Sequence, residues 1–290
     1  MLLSTIAVAL SMAMFPAPQS APATSDLDSA YKELKAAVEE KKDGDVIKKS
    51  AVETSKLVKA LLKAPPDADA EVQKSRIEFA KEVDAYADYA LSTAALTATD
   101  KAKVIEMRDA LAQQSPDSKY LPGLNAPYLA ALQATGNQKK ELPFAEKAIA
   151  KDPNNEALLV ILADGYFSRK SWAQAANYGS KLASTSKRPA LVGRGYYVAG
   201  QSYAALHKDM QADKALRAAL PNIKSEPALY APTLFQLGVS DYNVAKLTHD
   251  RVMLKDAIRF SEECSKMNNA VAGQAANNAF LMKKELATFR

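Results

Sequence analysis

Only a few residues of this chain have the types and spacing that chemistry needs. It has two histidines, His207 and His249, and one cysteine, Cys264. The histidines stand 42 residues apart, and neither has an acidic residue four positions on that would complete a helical metal site. A single thiol cannot form a disulfide within its own chain, and Cys264 falls where a helix needs a small buried side chain, so it reads as core filler rather than nucleophile. The adjacent acids Glu39-Glu40 and Glu262-Glu263 point in different directions from a helix and read as solvated faces. The sequence holds no G-x-S-x-G, P-loop or H-E-x-x-H. No catalytic residue, metal site or cofactor is therefore assigned, and the reading is of a protein that is not an enzyme.

The elements that would position any site are helical. Of 290 residues only 10 are Gly and 14 Pro, too few for the turn density of an all-β domain, and no stretch alternates apolar and polar residues as a strand would. Leu27, Tyr31, Leu34 and Val38 share one helical face. Asp43-Gly44-Asp45 ends that helix, and a second, with Val46, Val52, Leu57, Leu61 and Leu62, runs to Pro65-Pro66. A third carries Val72, Ile77, Phe79, Val83, Tyr86, Tyr89 and Leu91, and Asp100 opens a fourth. Helices then follow in pairs, roughly twelve in all.

Residues Leu2 to Phe15 are apolar and uncharged, and Ala21-Pro22-Ala23 fits an A-x-A cleavage site before Thr24. The run is too short for a bilayer, which takes about 20 helical residues. Export with cleavage is expected, hence a periplasmic or secreted protein. The n-region lacks Lys and Arg, and an apolar N-terminal helix packed on the domain is the alternative. No later stretch is apolar for long enough to span a membrane. Residues 26–120 carry 16 basic and 19 acidic side chains, and 121–290 carry 22 and 14, so the net +5 splits into −3 and +8. The basic half contains no recognisable nucleic-acid module, and nucleic acid is not expected as a partner.

The second half repeats itself. Leu159, Leu162, Ala163 and Tyr166, then Trp172 and Ala175, are followed about 37 residues later by Tyr196, Ala199, Gly200, Tyr203 and Ala212, and then by Leu234, Leu237, Gly238 and Ala257. Large, large, small and aromatic at this spacing follow one helical stripe, with the small residue where a neighbouring helix comes close. The pattern resembles the tetratricopeptide repeat (TPR), a helix-turn-helix unit of about 34 residues. Asp152-Pro153-Asn154-Asn155 is similar to its inter-repeat turn and Gly136 to its intra-repeat turn. The third unit has about seven extra residues between Gly238 and Ala257, around Thr248-His249-Asp250. Val271-Ala272-Gly273-Gln274 echoes Val198-Ala199-Gly200-Gln201 but arrives too soon to be in phase, and reads as a capping helix.

The resemblance implies an all-α, right-handed superhelix of antiparallel helix pairs. The expected organisation is a signal peptide over 1–23, an N-terminal helical pair over 24–66, divergent TPR-like helices over 67–121, TPR-like repeats over 122–269 and a C-terminal capping helix over 270–290. It also implies a non-catalytic scaffold whose first helices line a concave groove for a protein or peptide. Carried onto matched positions, the groove residues are Val160, Asp164, Phe167, Arg194, Tyr197, Gln201, Phe235, Gln236, Tyr242 and Asn243. Phe167, Tyr197 and Phe235 have the alternative of packing between helices. If the basic half supplies the groove, the ligand is an acidic or C-terminal peptide, although the family's carboxylate clamp of Lys and Arg pairs has no full counterpart here. A monomer is expected. The rival from another class is an enzyme or accessory factor acting on cell-wall glycan with the helical array as its platform, whose mark would be a buried carboxylate pair in a cleft.

Overall fold

The computed structural model describes residues 24–289. The expected leader over 1–23 lies outside them. The described residues contain thirteen α-helices and no strand: α1 (Thr24–Glu39), α2 (Gly44–Lys63), α3 (Ala70–Thr97), α4 (Lys101–Gln114), α5 (Asn125–Ala134), α6 (Glu141–Ala148), α7 (Glu156–Ser168), α8 (Trp172–Thr185), α9 (Pro189–Ala205), α10 (Asp209–Ile223), α11 (Pro227–Thr248), α12 (Arg251–Ser265) and α13 (Ala272–Leu286). The chain divides into two compact units, one comprising residues up to Thr97 with Asp109–Ser118, the other Ala98–Arg108 with everything from Lys119 on.

In the first unit Leu27 and Tyr31 of α1, Val58 and Leu61 of α2, and Ala80 and Val83 of α3 form one core. Tyr31 meets Phe79 and Tyr86 edge-on at 6.1 and 5.4 Å. Asp43 caps α2, accepting from the Asp45 amide at 2.9 Å. Four of the apolar residues read as stripe members are in fact exposed: Val46, Leu62, Val72 and Tyr89. A unit of three helices and the end of α4 has too little interior to cover every apolar position of helices this long.

The second unit is a chain of helix pairs, α5/α6 to α11/α12, with α13 packed against α12. Its register is written in the backbone. α5, α7, α9 and α11 each end in a left-handed residue: Gly136 (φ 73°), Lys170 (58°), His207 (56°) and His249 (56°). After each, the next amide reaches back five residues, Asn137 to Leu132, Ser171 to Tyr166, Lys208 to Tyr203 and Asp250 to Ala245, at 2.7 to 3.1 Å. This is the Schellman closure, which satisfies carbonyls the helix end leaves free. The inter-repeat turn is also built as expected: Asn155 caps α7, accepting from the Leu158 amide at 3.2 Å while donating to Asp152 at 2.8 Å.

Small residues set the crossings. A Cβ on Gly195 would lie 2.6 Å from the Gly179 carbonyl oxygen, and one on Gly179 2.8 Å from that of Gly195, so α8 and α9 touch backbone to backbone. A Cβ on Gly200 would lie 2.5 Å from the Leu216 side chain of α10. Ala163 and Gly238 are likewise buried, as their place in the repeat requires.

The extra residues of the third unit are taken up as helix: α11 runs ten residues past Gly238 where α9 runs five past Gly200, and α12 begins six residues before Ala257 where α10 begins three before Ala212. A Cβ on Gly273, the second residue of α13, would meet nothing within 4 Å, whereas Gly200 and Gly238, each the twelfth residue of its helix, sit at crossings, so the echo does not take the small residue's place in the repeat. α13 packs chiefly against α12.

Candidate functional site

The first helices of successive pairs, α7, α9 and α11, lie side by side. Val160, Asp164 and Phe167 recur on one stripe of α7, and Arg194, Tyr197 and Gln201 on the matching stripe of α9. Between the two, Arg194 grips Asp164 with both arms, its Nε at 3.2 Å from Oδ1 and its Nη2 on Oδ2. Burial pushes the Asp164 carboxyl above its usual value, with Arg194 pulling it down. The rings of Phe167 and Tyr197 stand 6.2 Å apart, and Phe167 meets Trp172 edge-on at 5.4 Å. All three rings are half-buried, with part of each facing solvent.

Farther along, Gln201 donates to the Pro232 carbonyl at 3.1 Å and joins α9 to α11. Gln236 donates to Ser240 within α11 at 3.3 Å. The remaining residues turn to other neighbours. Phe235 packs against the core of Leu216, Leu234 and Phe260. Asn243 donates to Asp209 of α10 at 3.1 Å, and Tyr242 donates to Glu285 of α13 at 2.5 Å. The structure thus gathers Val160, Asp164, Phe167, Arg194 and Tyr197, with Gln201 at the margin, and sets Tyr242 and Asn243 to work fastening helices.

Two features had weak sequence signals. The sequence marks Trp172 only as a member of the repeat and not of the groove, yet it completes the aromatic cluster. The other is a charge node. Arg217 of α10 pairs with Asp213 of its own helix, with Asp241 of α11 and, at 3.2 Å, with Asp256 of α12. Asp241 is wholly buried and its Oδ1 has no hydrogen-bond partner. Its carboxyl is raised to about 8, first by burial and then by Asp213 beside it, against the pull of Arg217. The i, i+4 spacing of Asp213 and Arg217 was a local hint; the convergence from three helices was not readable.

The glycan-enzyme alternative looks for a buried carboxylate pair in a cleft. Asp213 and the wholly buried Asp241 supply the pair, but with no part of Asp241 exposed and Arg217 paired to both, they line no open cleft. The node ties helices together. Cys264 is buried, its thiol raised by burial and 3.5 Å from the Ala231 carbonyl. His207 and His249 close helices, and no cluster of potential metal ligands occurs among the described residues.

No protein-family model matches the chain, and no curated protein matches it. Among solved structures, the TPR2AB domain:pHSP90 complex of yeast Sti1 is similar at 14% identity over 90% of this chain and 100% of that one, with a TM-score of 0.31. So low a score carries no weight. The chain's own small-residue column, turn register and antiparallel pairs make its second unit a TPR-like helical repeat.

Proposed function

We propose that the protein is a non-catalytic interaction scaffold, exported to the periplasm or beyond, which holds an extended segment of a partner protein along α7 and α9. The observation that carries this reading is the row of half-exposed rings, Trp172, Phe167 and Tyr197, flanking a satisfied Arg194–Asp164 pair. Rings supply contact area at small entropic cost, and Gln201 and Gln236 at the end of the row, whose amide nitrogens hold Pro232 and Ser240, keep their amide oxygens for the N–H groups of a peptide backbone. Charge is the weaker attraction at this face. Arg194 is tied to Asp164 and Arg188 to Glu156 at 2.6 Å, so an acidic ligand has to compete with carboxylates already in place. The ligand this arrangement suits is an apolar or aromatic stretch rather than an acidic one.

Crosslinking from a photoreactive residue at position 201 in cells, followed by capture, would name the partner. Tyr197→Ala and Phe167→Ala are then expected to weaken binding about tenfold each, the loss of a hot-spot ring. Unchanged binding in both, with loss on deleting residues 24–66, would move the docking surface to the N-terminal helices and end this reading. Export has its own check: the mature chain recovered from cells should begin at Thr24.

A further inference from the structure

A second surface of the repeat unit has a different character from the groove. Connections within the pairs are short, so consecutive helices run antiparallel and every turn from the first to the second helix of a pair emerges on the same edge. Neighbouring turns on that edge are on the order of 10 Å apart, the spacing of packed helices. Each brings cations: Lys139 and Lys140 after α5, Arg169 and Lys170 after α7, Lys208 after α9, and Arg251 after α11. All six are exposed, and none pairs with a carboxylate among the described residues. Arg251 does bond the Phe289 carbonyl at 2.6 Å, which leaves its charge uncompensated.

The acids of this edge keep their charge but are fewer than its cations, and each is held by a local partner or buried. Asp209 accepts from Asn243, Asp250 caps α12, Glu141 is buried, and Glu285 takes Tyr242 and Lys246. The same edge also carries the three most exposed large apolar side chains of the described chain: Leu247 (80%), Val252 (72%) and Met210 (70%). The opposite edge also mixes acids with cations, Asp152, Glu156 and Glu226 among them, but there Arg188 is paired with Glu156 and no large apolar side chain is exposed to this degree.

Cations alone would suit any polyanion. Cations in a row with apolar side chains projecting between them suit a surface that is anionic outside and apolar a few ångströms in, which is the headgroup region of an anionic bilayer. We propose that this edge, from Lys139 to Val252, rests on an anionic phospholipid membrane, with the lysines and arginines on the phosphates and Met210, Leu247 and Val252 inserted among the acyl chains. No described helix is long and apolar enough to cross a membrane, so the contact proposed is with its surface. The groove of α7 and α9 is a separate face, so the scaffold reading and this one stand or fall independently.

The test is flotation of the full chain with phosphatidylcholine vesicles made with and without phosphatidylglycerol. Binding is expected only with phosphatidylglycerol and should weaken as salt screens it. Removing Lys139, Lys140, Arg169 and Lys170 charges (each to Gln) should cost about fivefold per cation, since each is worth about 1 kcal/mol near such a surface. M210S/L247S/V252S should weaken binding about tenfold, and K187Q/K224Q on the opposite edge should do nothing. Three outcomes would overturn the proposal. One is no binding to phosphatidylglycerol vesicles. Another is equal binding to neutral vesicles that ignores every edge variant, which would assign it to the apolar N-terminal run. The third is an apolar triple variant that binds like the parent while soluble dextran sulfate or inorganic phosphate displaces the protein from vesicles, which would make the edge a polyanion or phosphate site.

Discussion

The two compact units solve the same problem, burying helices against helices, by different means. The first carries 12 basic and 17 acidic side chains, net −5, and the second 26 and 16, net +10. The first has long helices, 28 residues in α3, and no glycine in a helix interior apart from the start of α2. Polar side chains help fasten it: the buried Ser55 donates to Asp84 at 2.8 Å, and Gln114 donates to Asp88 at 2.8 Å. The second is assembled by backbone approach at glycines and by one turn geometry used four times. Side-chain fastening lets each contact be unique, whereas a repeated turn and a small-residue column impose one spacing on every pair. A unit of the second kind can be extended by repetition, and it presents the same edge again at each repeat.

The comparison breaks most sharply at Gly195. A side chain there strikes the Gly179 carbonyl and the Ala183 amide, which are main-chain atoms that no rotamer change can move. Gly195→Val should therefore cost about 3 kcal/mol, the upper part of the usual overpacking range, with faster hydrogen exchange in α8 and α9 and unchanged protection in α1 to α3. Gly200→Leu should cost less, about 2 kcal/mol, because what it meets is the flexible Leu216 side chain. Denaturant titration gives both. If the order reverses, crossings in the second unit are not governed by backbone approach.

These crossings also show what could be read beforehand. Ala163, Gly200 and Gly238 were legible because they recur at a fixed interval. Gly179 and Gly195, which make the backbone-to-backbone contact, occur once and so left no periodic trace. The extra turns of α11 were visible as a miscount but not as helix, since Thr248-His249-Asp250 has the composition of a loop. In the candidate site, residue types on a stripe identified the face, but Tyr242 and Asn243 fell off it. Their partners, Glu285 and Asp209, come from helices that sequence spacing does not bring together.

Acidity separates the units next. Burial and the neighbouring Asp213 push the Asp241 carboxyl up to about 8, far above the usual carboxylate range, so the folded chain keeps a proton that the unfolded chain releases. Stability from this group is full below about pH 4 and is lost progressively as pH rises to about 8. Asp241→Asn keeps the shape and removes the ionisation, so the decline over that range should shrink by at least ~1.4 kcal/mol, the worth of one pKa unit. Thermal melts across pH check it, and an unchanged decline would mean that Asp241 is ionised throughout. In the first unit Ser55→Ala should cost about 1 kcal/mol, the net worth of one hydrogen bond, with no dependence on pH in the same range.

The smallest effect tests the repeated turn. His207 and His249 adopt φ of 56°, where a side chain is strained and glycine is not, and Gly136 at φ 73° shows the same turn built without that strain. His207→Gly should remove the strain while leaving the Lys208 to Tyr203 bond intact, because that bond uses main-chain atoms only. Glycine also gains freedom in the unfolded chain, which offsets part of the benefit. A net gain of about 0.5 kcal/mol is expected from these opposing terms, and the reverse change, Gly136→Ala, should lose about 1 kcal/mol. Urea midpoints at unchanged m-value measure both. The first unit supplies the control: Lys41 ends α1 at φ 53°, and the Lys42 amide reaches back to Ala37 at 3.0 Å. Lys41→Gly should gain as much as His207→Gly if the turn is a purely local device. If the gain appears at His207 and His249 but not at Lys41, repetition itself contributes, through the stacking of each turn on the next.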